Sequence, residues 1–234
     1  MAPFVTAPSV TPYSLAYTRG MRHGLLGAIH LPDGPEAVPE SVLNRLHPEE
    51  QAHARRLKGF RQVQWVGGRL AAHASVKALG QSMGPLLSDP YGAPKPSKSL
   101  TVSIAHKRHL AVAVVAQRRH GAVGVDLEVG GRPRMGIAPR VLTATELRAV
   151  DALPEERRWT SVLVHFAIKE AIYKALAPRL RRYIGFEEAT VQPYTDGQAD
   201  VHLTLAEPGG PDHIEAEYAW VPQGLVATAR ARWT

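Results

Sequence analysis

The chain has 234 residues, no cysteine and a formal net charge of +7. At about 100–200 residues per domain, that length allows one large domain or two small ones, and the lack of cysteine excludes disulfide frameworks, thiolate zinc sites and cysteine nucleophiles. With 44% hydrophobic and 21% charged residues the composition is globular, and a sequence pI near 9.9 favours polyanionic partners: nucleic acid, an anionic cofactor or an acidic protein.

The stretch before Arg19 has neither a basic residue nor a compact apolar core, so no secretory signal is expected. Runs rich in Val, Ile, Thr and Tyr predict strands at 13–18 and 25–31. Helical periodicity follows at 48–57 and 65–79. The segment 82–99, with four prolines and two glycines, reads as a surface loop. Strands are predicted at 100–104, 110–116 and 122–129, then helices at 145–153 and 159–177. Four more strands follow at 189–194, 201–205, 214–220 and 225–232. The longest apolar run, Leu110 to Ala116, is far short of the roughly 18 residues a membrane span needs; a soluble, cytoplasmic protein with no membrane contact is expected. Strands cluster instead of alternating with helices, which predicts an α+β fold with antiparallel sheets over a doubly wound one. Each half offers a long helix and a small group of strands, compatible with two similar subdomains meeting near residue 120.

Several familiar motifs are missing: there is no GxxxxGK[ST] phosphate loop, no HExxH zinc helix and no GxSxG nucleophile elbow. His106 and His109 lack further ligand candidates nearby. In Ala122–Val129, a strand would put Val123, Val125, Leu127 and Val129 on one face and Asp126 and Glu128 on the other. That second face is either a solvated surface or a pair of oxygen ligands of the kind that holds Mg²⁺ beside phosphate. In 159–177 the 3.6-residue period puts Glu170 in the middle of a stripe of Trp159, Leu163, Phe166 and Tyr173. The opposite side is apolar too, so the helix should be buried nearly all round. Lys174 stands four residues on from Glu170. Either the two form an internal pair, or Glu170 faces the same cation as Asp126 and Glu128 while Lys174 faces a phosphate.

Gly-Val-Asp-Leu-Glu at 124–128, followed by Phe-Ala-Ile-Lys-Glu-Ala-Ile-Tyr-Lys at 166–174, resembles the two-part signature of 4′-phosphopantetheinyl transferases of the single-chain, surfactin-synthetase and enterobactin-synthetase type. Val141–Glu146 resembles the family's linker, and Ala175–Pro178 through Arg182, Phe186 and Ala189 its continuation. Phe60-Arg61, Gly68–Ala72, Tyr91-Gly92-Ala93-Pro94 and Ser103-Ile104-Ala105-His106 fall in the family's order, so the resemblance covers roughly residues 45–195.

The resemblance implies a pseudo-dimer of two similar α/β subdomains, 1–119 on the nucleotide side and 120–234 carrying the magnesium and catalytic motifs, with coenzyme A between them. It implies transfer of the phosphopantetheine arm from coenzyme A to a serine of an acyl or peptidyl carrier protein, as in fatty-acid, polyketide or nonribosomal-peptide assembly, releasing adenosine 3′,5′-bisphosphate. By the same carry-over Asp126, Glu128 and Glu170 bind Mg²⁺, and Lys174 contacts phosphate. His106 and Arg69 hold the nucleotide and its 3′-phosphate, and the backbone at Gly92 borders the adenine. Glu170 is the candidate proton acceptor for the serine hydroxyl. Arg61 and Lys58 are further candidate phosphate contacts. The chain departs from the pattern at Ala105, where a serine or threonine is usual, and at Lys107, where a small hydroxyl residue is usual. One phosphate-binding hydroxyl is therefore missing, and Lys107 is a candidate to supply charge instead. The chain is expected to act as a monomer. Two rival readings are a catalytically silent carrier-binding homologue and a basic nucleic-acid-binding protein built on Arg118-Arg119-His120, Arg132/Arg134 and Arg179/Arg181/Arg182. The latter clusters lack interleaved aromatics, and no nucleic-acid partner is expected.

Overall fold

The computed structural model describes residues 11–90 and 92–234. Tyr91, part of the motif above, lies outside them, as do the first ten residues, on which the expectation of no secretory signal partly rests. In the first half, β1 (Leu15–Met21) and β2 (Gly24–His30) form a hairpin. Three helices follow: α1 (Glu40–Leu43), α2 (Pro48–Ala54) and the long α3 (Gly59–Ala78). A small ribbon, β3 (Leu87–Ser88) with β4 (Pro94–Lys95), precedes β5 (Leu100–Lys107) and β6 (Leu110–Gln117). The sheet order is β1-β2-β6-β5. The second half runs through β7 (Ala122–Glu128), α4 (Ala138–Val141), α5 (Ala144–Asp151) and α6 (Glu155–Leu180). It ends with β8 (Ala189–Pro193), β9 (Gln198–Leu203), β10 (His213–Val221) and β11 (Gly224–Arg232), in the order β7-β11-β10-β9-β8. Every ladder among the described residues is antiparallel, as the clustering of strands predicts.

Each sheet buries one face under its long helix. Val63, Val66, Leu70 and Val76 of α3 pack with Ile29, Ala113 and Val115 of the first sheet. Ala167, Ile168, Ala171 and Ile172 of α6 pack with Leu225, Ala227 and Ala229 of the second. The opposite sheet faces meet around Leu26, Val112, Val114, Val125, Leu127 and Val226. Along this seam the edge strands β5 and β7 run in the same direction without a backbone ladder among the described residues. The N–H of Val123 and of Val125 donate instead to Thr101 Oγ1 (3.3 Å) and Ser103 Oγ (3.0 Å).

Period-two alternation in β7 then decides which side each residue serves. Val123, Val125 and Leu127 enter the inter-sheet core, while Gly124 and Asp126 lie under α6. A Cβ at residue 124 would sit 1.8 Å from the Ala171 carbonyl oxygen, so only glycine admits the helix backbone this close.

The structure revises several boundaries. β1 starts at Leu15, because Tyr13 takes a left-handed turn (φ 60°) that points its ring into the core. α6 begins a full turn before Trp159, in the charged Glu155–Arg158 stretch that carries no apolar period. The 82–99 segment is not wholly superficial: Leu86 is fully buried and the β3–β4 ribbon orders its middle. Val129 lies beyond the end of β7 and is exposed, so it does not share the buried face of Val123, Val125 and Leu127. Among the described residues no helix is long and apolar enough to cross a membrane.

Candidate functional site

Five ionisable side chains gather where β5, β7 and α6 meet. Asp126 and Glu128 are each only 6% exposed, which corrects the solvated-face alternative: α6 covers them. Lys174 of α6 donates to Asp126 Oδ1 at 2.6 Å, and Lys107 at the end of β5 reaches Glu128 Oε1 at 2.7 Å. The internal Glu170–Lys174 pair therefore does not form; the lysine spans to β7. Asp126 Oδ2 is buried with no donor, and among the described residues no side chain donates a hydrogen bond to the half-buried Glu170.

Burial is the main force raising the pKa of all three acids. For Asp126 and Glu128 it outweighs the opposing pull of Lys174 and Lys107 respectively. For Glu170 the Asp126 charge adds to burial, against Lys174. The cluster is short of positive charge even with both lysines in place. No three of its acids and histidines, or of any others among the described residues, converge into a ready-made metal cage.

His106 stays in contact with solvent, yet desolvation by the cleft and then the Lys174 and Lys107 charges lower its pKa. Its ring belongs to the same electrostatic unit. Gly92, held in a left-handed turn (φ 88°) between β3 and β4, lines a cavity of about 240 Å³ shared with Ser103, Tyr173, Lys174 and Arg181. The cavity thus joins the ribbon of the first half to α6 of the second.

Arg69 does not reach this cavity. It is 5% exposed, with Nε donating to the Leu86 carbonyl (3.0 Å) and an Nη to Ser88 Oγ (2.8 Å), and its plane lies over Trp65. Burial lowers its pKa to about 10, and Glu50 only partly offsets this. Arg69 therefore anchors the ribbon that carries Gly92. Arg61 and Lys58 are exposed at the start of α3. Ala105 is buried against the inter-sheet core, on the side of β5 that also carries Ser103 and Lys107.

A larger cavity of about 700 Å³ lies between α5, the first turns of α6, β8 and β10. None of the predicted site residues lines it.

Sequence reasoning missed the polar groups that hold the cleft's walls. Lys169, beside Glu170, donates to Glu146 Oε2 (2.7 Å) and to the carbonyls of Val141 (2.9 Å) and Phe186 (3.0 Å). Glu146 caps α5 through the Thr143 N–H and also accepts from the Val191 N–H. The Thr143-x-x-Glu146 capping box was a visible signal; the lysine within an apolar face, between Ile168 and Ile172, was the other. In the first half, Glu50 does similar work, accepting from the Leu86 N–H (2.7 Å) and pairing with His73 (2.9 Å).

Comparison with known proteins agrees with the motif pair. Residues 122–229 match the family model described as the 4′-phosphopantetheinyl transferase superfamily, and residues 49–116 match the 4′-phosphopantetheinyl transferase N-terminal domain. The 4′-phosphopantetheinyl transferase Npt of Nocardia iowensis is 29% identical over 227 residues, covering 86% of this chain and 97% of that protein. The 4′-phosphopantetheinyl transferase PptT of Mycobacterium tuberculosis is 29% identical over 196 residues, 78% of this chain and 84% of that one. Among solved structures, the holo-[acyl-carrier-protein] synthase of Thermotoga maritima superposes with a TM-score of 0.41 at 23% identity, over 49% of this chain and 64% of that chain. That of Bacillus anthracis, solved in complex with CoA (3′,5′-ADP), gives 0.39 at 19% identity over 49% and 97%. Two models of one superfamily, matched in succession along the two sheet-and-helix halves, place this chain in the 4′-phosphopantetheinyl transferase superfamily.

Proposed function

We propose that this enzyme transfers the 4′-phosphopantetheine arm of coenzyme A to a serine hydroxyl of an acyl or peptidyl carrier protein, releasing adenosine 3′,5′-bisphosphate. The observation that carries the reading is the convergence of Asp126, Glu128, Glu170, Lys174 and Lys107 at the seam between the halves. The serine oxygen attacks the phosphorus of the pantetheine-bearing phosphate, and the bond to the bridging oxygen breaks. The serine proton is lost, and the bisphosphate departs with the negative charge.

Asp126, Glu128 and Glu170 suit Mg²⁺ by donor chemistry, since hard oxygen ligands are what that ion takes. The orphaned Asp126 Oδ2 and three raised carboxyl pKa values are what a site wanting a cation looks like. When bound, the ion supplies Lewis-acid neutralisation of pyrophosphate charge. The protein's own groups do the rest. Lys174 faces the cavity and neutralises charge that grows on the phosphate as the bond breaks. Glu170 has no donor among the described residues and a pKa raised by burial and Asp126, so it is disposed to take the serine proton. Gly92 lets the ribbon backbone approach the adenine, and His106 and Arg61 meet phosphate. Arg69 acts behind the ribbon, by fixing it.

The carriers served belong to fatty-acid, polyketide or nonribosomal-peptide assembly, and a net charge of +7 suits an acidic carrier. The enzyme works as a monomer in the cytoplasm, without nucleic acid. Intact-mass spectrometry of an apo carrier incubated with enzyme, coenzyme A and Mg²⁺ tests this reading. One phosphopantetheinyl mass should appear, and folded Asp126→Ala or Glu128→Ala should leave the carrier unmodified. An unchanged carrier with the wild type, across several carrier classes, would return the chain to the silent-homologue reading.

A further inference from the structure

We propose that Lys107 is a phosphate-binding residue of this enzyme which alternates between two anions: Glu128, on which it rests in the structure, and the pyrophosphate of coenzyme A when the carboxylates hold the metal. The inference rests on the function proposed above and adds a residue and a binding order to it.

Lys107 is the last residue of β5, on the edge strand that lies beside β7. Its side chain crosses the seam from the first half to an acid of the second, at 2.7 Å. The lysine side chain is 40% exposed while the Glu128 side chain is 8% exposed, so the cation sits at the mouth and the acid at the floor. A lysine in that place can swing without breaking a packed core, since Ala105, two residues back on the same side, makes the core contact instead. Its charge is felt by Glu170 and by His106, so it belongs to the same charged cluster as Lys174.

A cation bound by Glu128 would remove the anion that now holds Lys107. The ammonium would then face a doubly charged metal at close range, and the pyrophosphate is the group able to hold both. Lys174 stands in the same relation to Asp126, at 2.6 Å. The two lysines are thus built-in counter-ions that a metal must displace, and displacement hands them to the substrate. Metal and coenzyme A should therefore bind synergistically, each weakened when the other is withheld.

Two binding measurements on the full chain test this, each with a thermal melt to confirm folding: Mn²⁺ titration without coenzyme A, and calorimetry of coenzyme A with saturating Mg²⁺. Lys107→Met keeps the length and loses the charge; Lys107→Arg keeps the charge. Without coenzyme A, Lys107→Met should bind Mn²⁺ roughly threefold to tenfold more tightly than wild type, because a competing cation is gone. With Mg²⁺, the same variant should bind coenzyme A roughly tenfold to a hundredfold more weakly, the worth of one charge-assisted contact. Lys107→Arg should recover most of that affinity. Opposite signs in the two titrations are something a purely structural lysine would not produce. If wild type binds coenzyme A and modifies carrier, yet Lys107→Met binds coenzyme A equally well, the proposal for Lys107 is overturned and the function stands. If wild type binds no coenzyme A at all, the function itself is overturned and the proposal with it.

Discussion

Two lysines five positions apart on α6 each meet a carboxylate, and they differ in how completely they are satisfied. The Lys169 side chain is 1% exposed, and among the described residues it donates to Glu146 and to two backbone carbonyls. Glu146 in turn accepts from the backbone of Thr143 and Val191 as well as from Lys169. The Lys174 side chain is 26% exposed and, among the described residues, meets Asp126 alone, whose second oxygen is orphaned and whose neighbour Glu170 has no donor there. The same residue types on one helix are therefore satisfied to different degrees. A closed network holds the fold, and an open one is left with capacity for a ligand.

The largest expected effect lies in the closed network. Lys169→Ala should cost about 3–5 kcal/mol of stability, because it leaves the buried Glu146 charge without its partner; urea unfolding measures this. A loss under about 1 kcal/mol would mean the network is not closed, and the contrast with Lys174 would fail.

A second test uses the far end of the seam, where the β1–β2 turn meets the second sheet. There Arg22 N–H donates to Glu217 (2.7 Å), and buried His23 contacts Thr228 Oγ1 through Nδ1 at 2.9 Å. Burial lowers the His23 pKa from 6.5 to about 4, with Arg230 and Arg22 reinforcing this against Glu215. The unfolded chain takes up this proton at a higher pH than the folded one does. Stability should therefore be full above about pH 6.5 and fall as pH drops toward 4, by up to about 3 kcal/mol from this group. His23→Gln should flatten that slope in urea midpoints taken between pH 7 and pH 4.5. An equal slope in both proteins would remove His23 as its source.

The smallest effect on stability lies in the open network. Glu170→Gln removes a charge that burial and Asp126 both oppose. It should melt slightly higher, by about 1 kcal/mol or less in stability, while carrier modification collapses. A lower melting temperature would show that Glu170 supports the fold.

Most of the strand and helix order was legible because alternation and helical period are local signals. Val123, Val125 and Leu127 announced one buried face of β7, and the run through Ala175 announced a helix buried nearly all round. What a single sequence hides is the tertiary partner. The spacing of Glu170 and Lys174 allowed a pair within the helix, whereas the lysine reaches Asp126 on another element. The covered face of Asp126 and Glu128 depends on α6 lying directly on Gly124, which no strand pattern specifies. Helical spacing could not show that Arg69 is enclosed behind the ribbon; its bonds to Leu86 and Ser88 do.

Lys174→Ala separates an open network that serves chemistry from a closed one that serves stability. Thermal melts without ligand should be run beside mass spectrometry of a carrier incubated with coenzyme A and Mg²⁺. The expected stability loss is about 1–2 kcal/mol, since the Lys174 side chain is 26% exposed and lines a solvent-accessible cavity, with transfer reduced a hundredfold or more, on the order of one lost transition-state contact. A variant that melts as low as Lys169→Ala yet modifies carrier at the wild-type rate under folding conditions would contradict it.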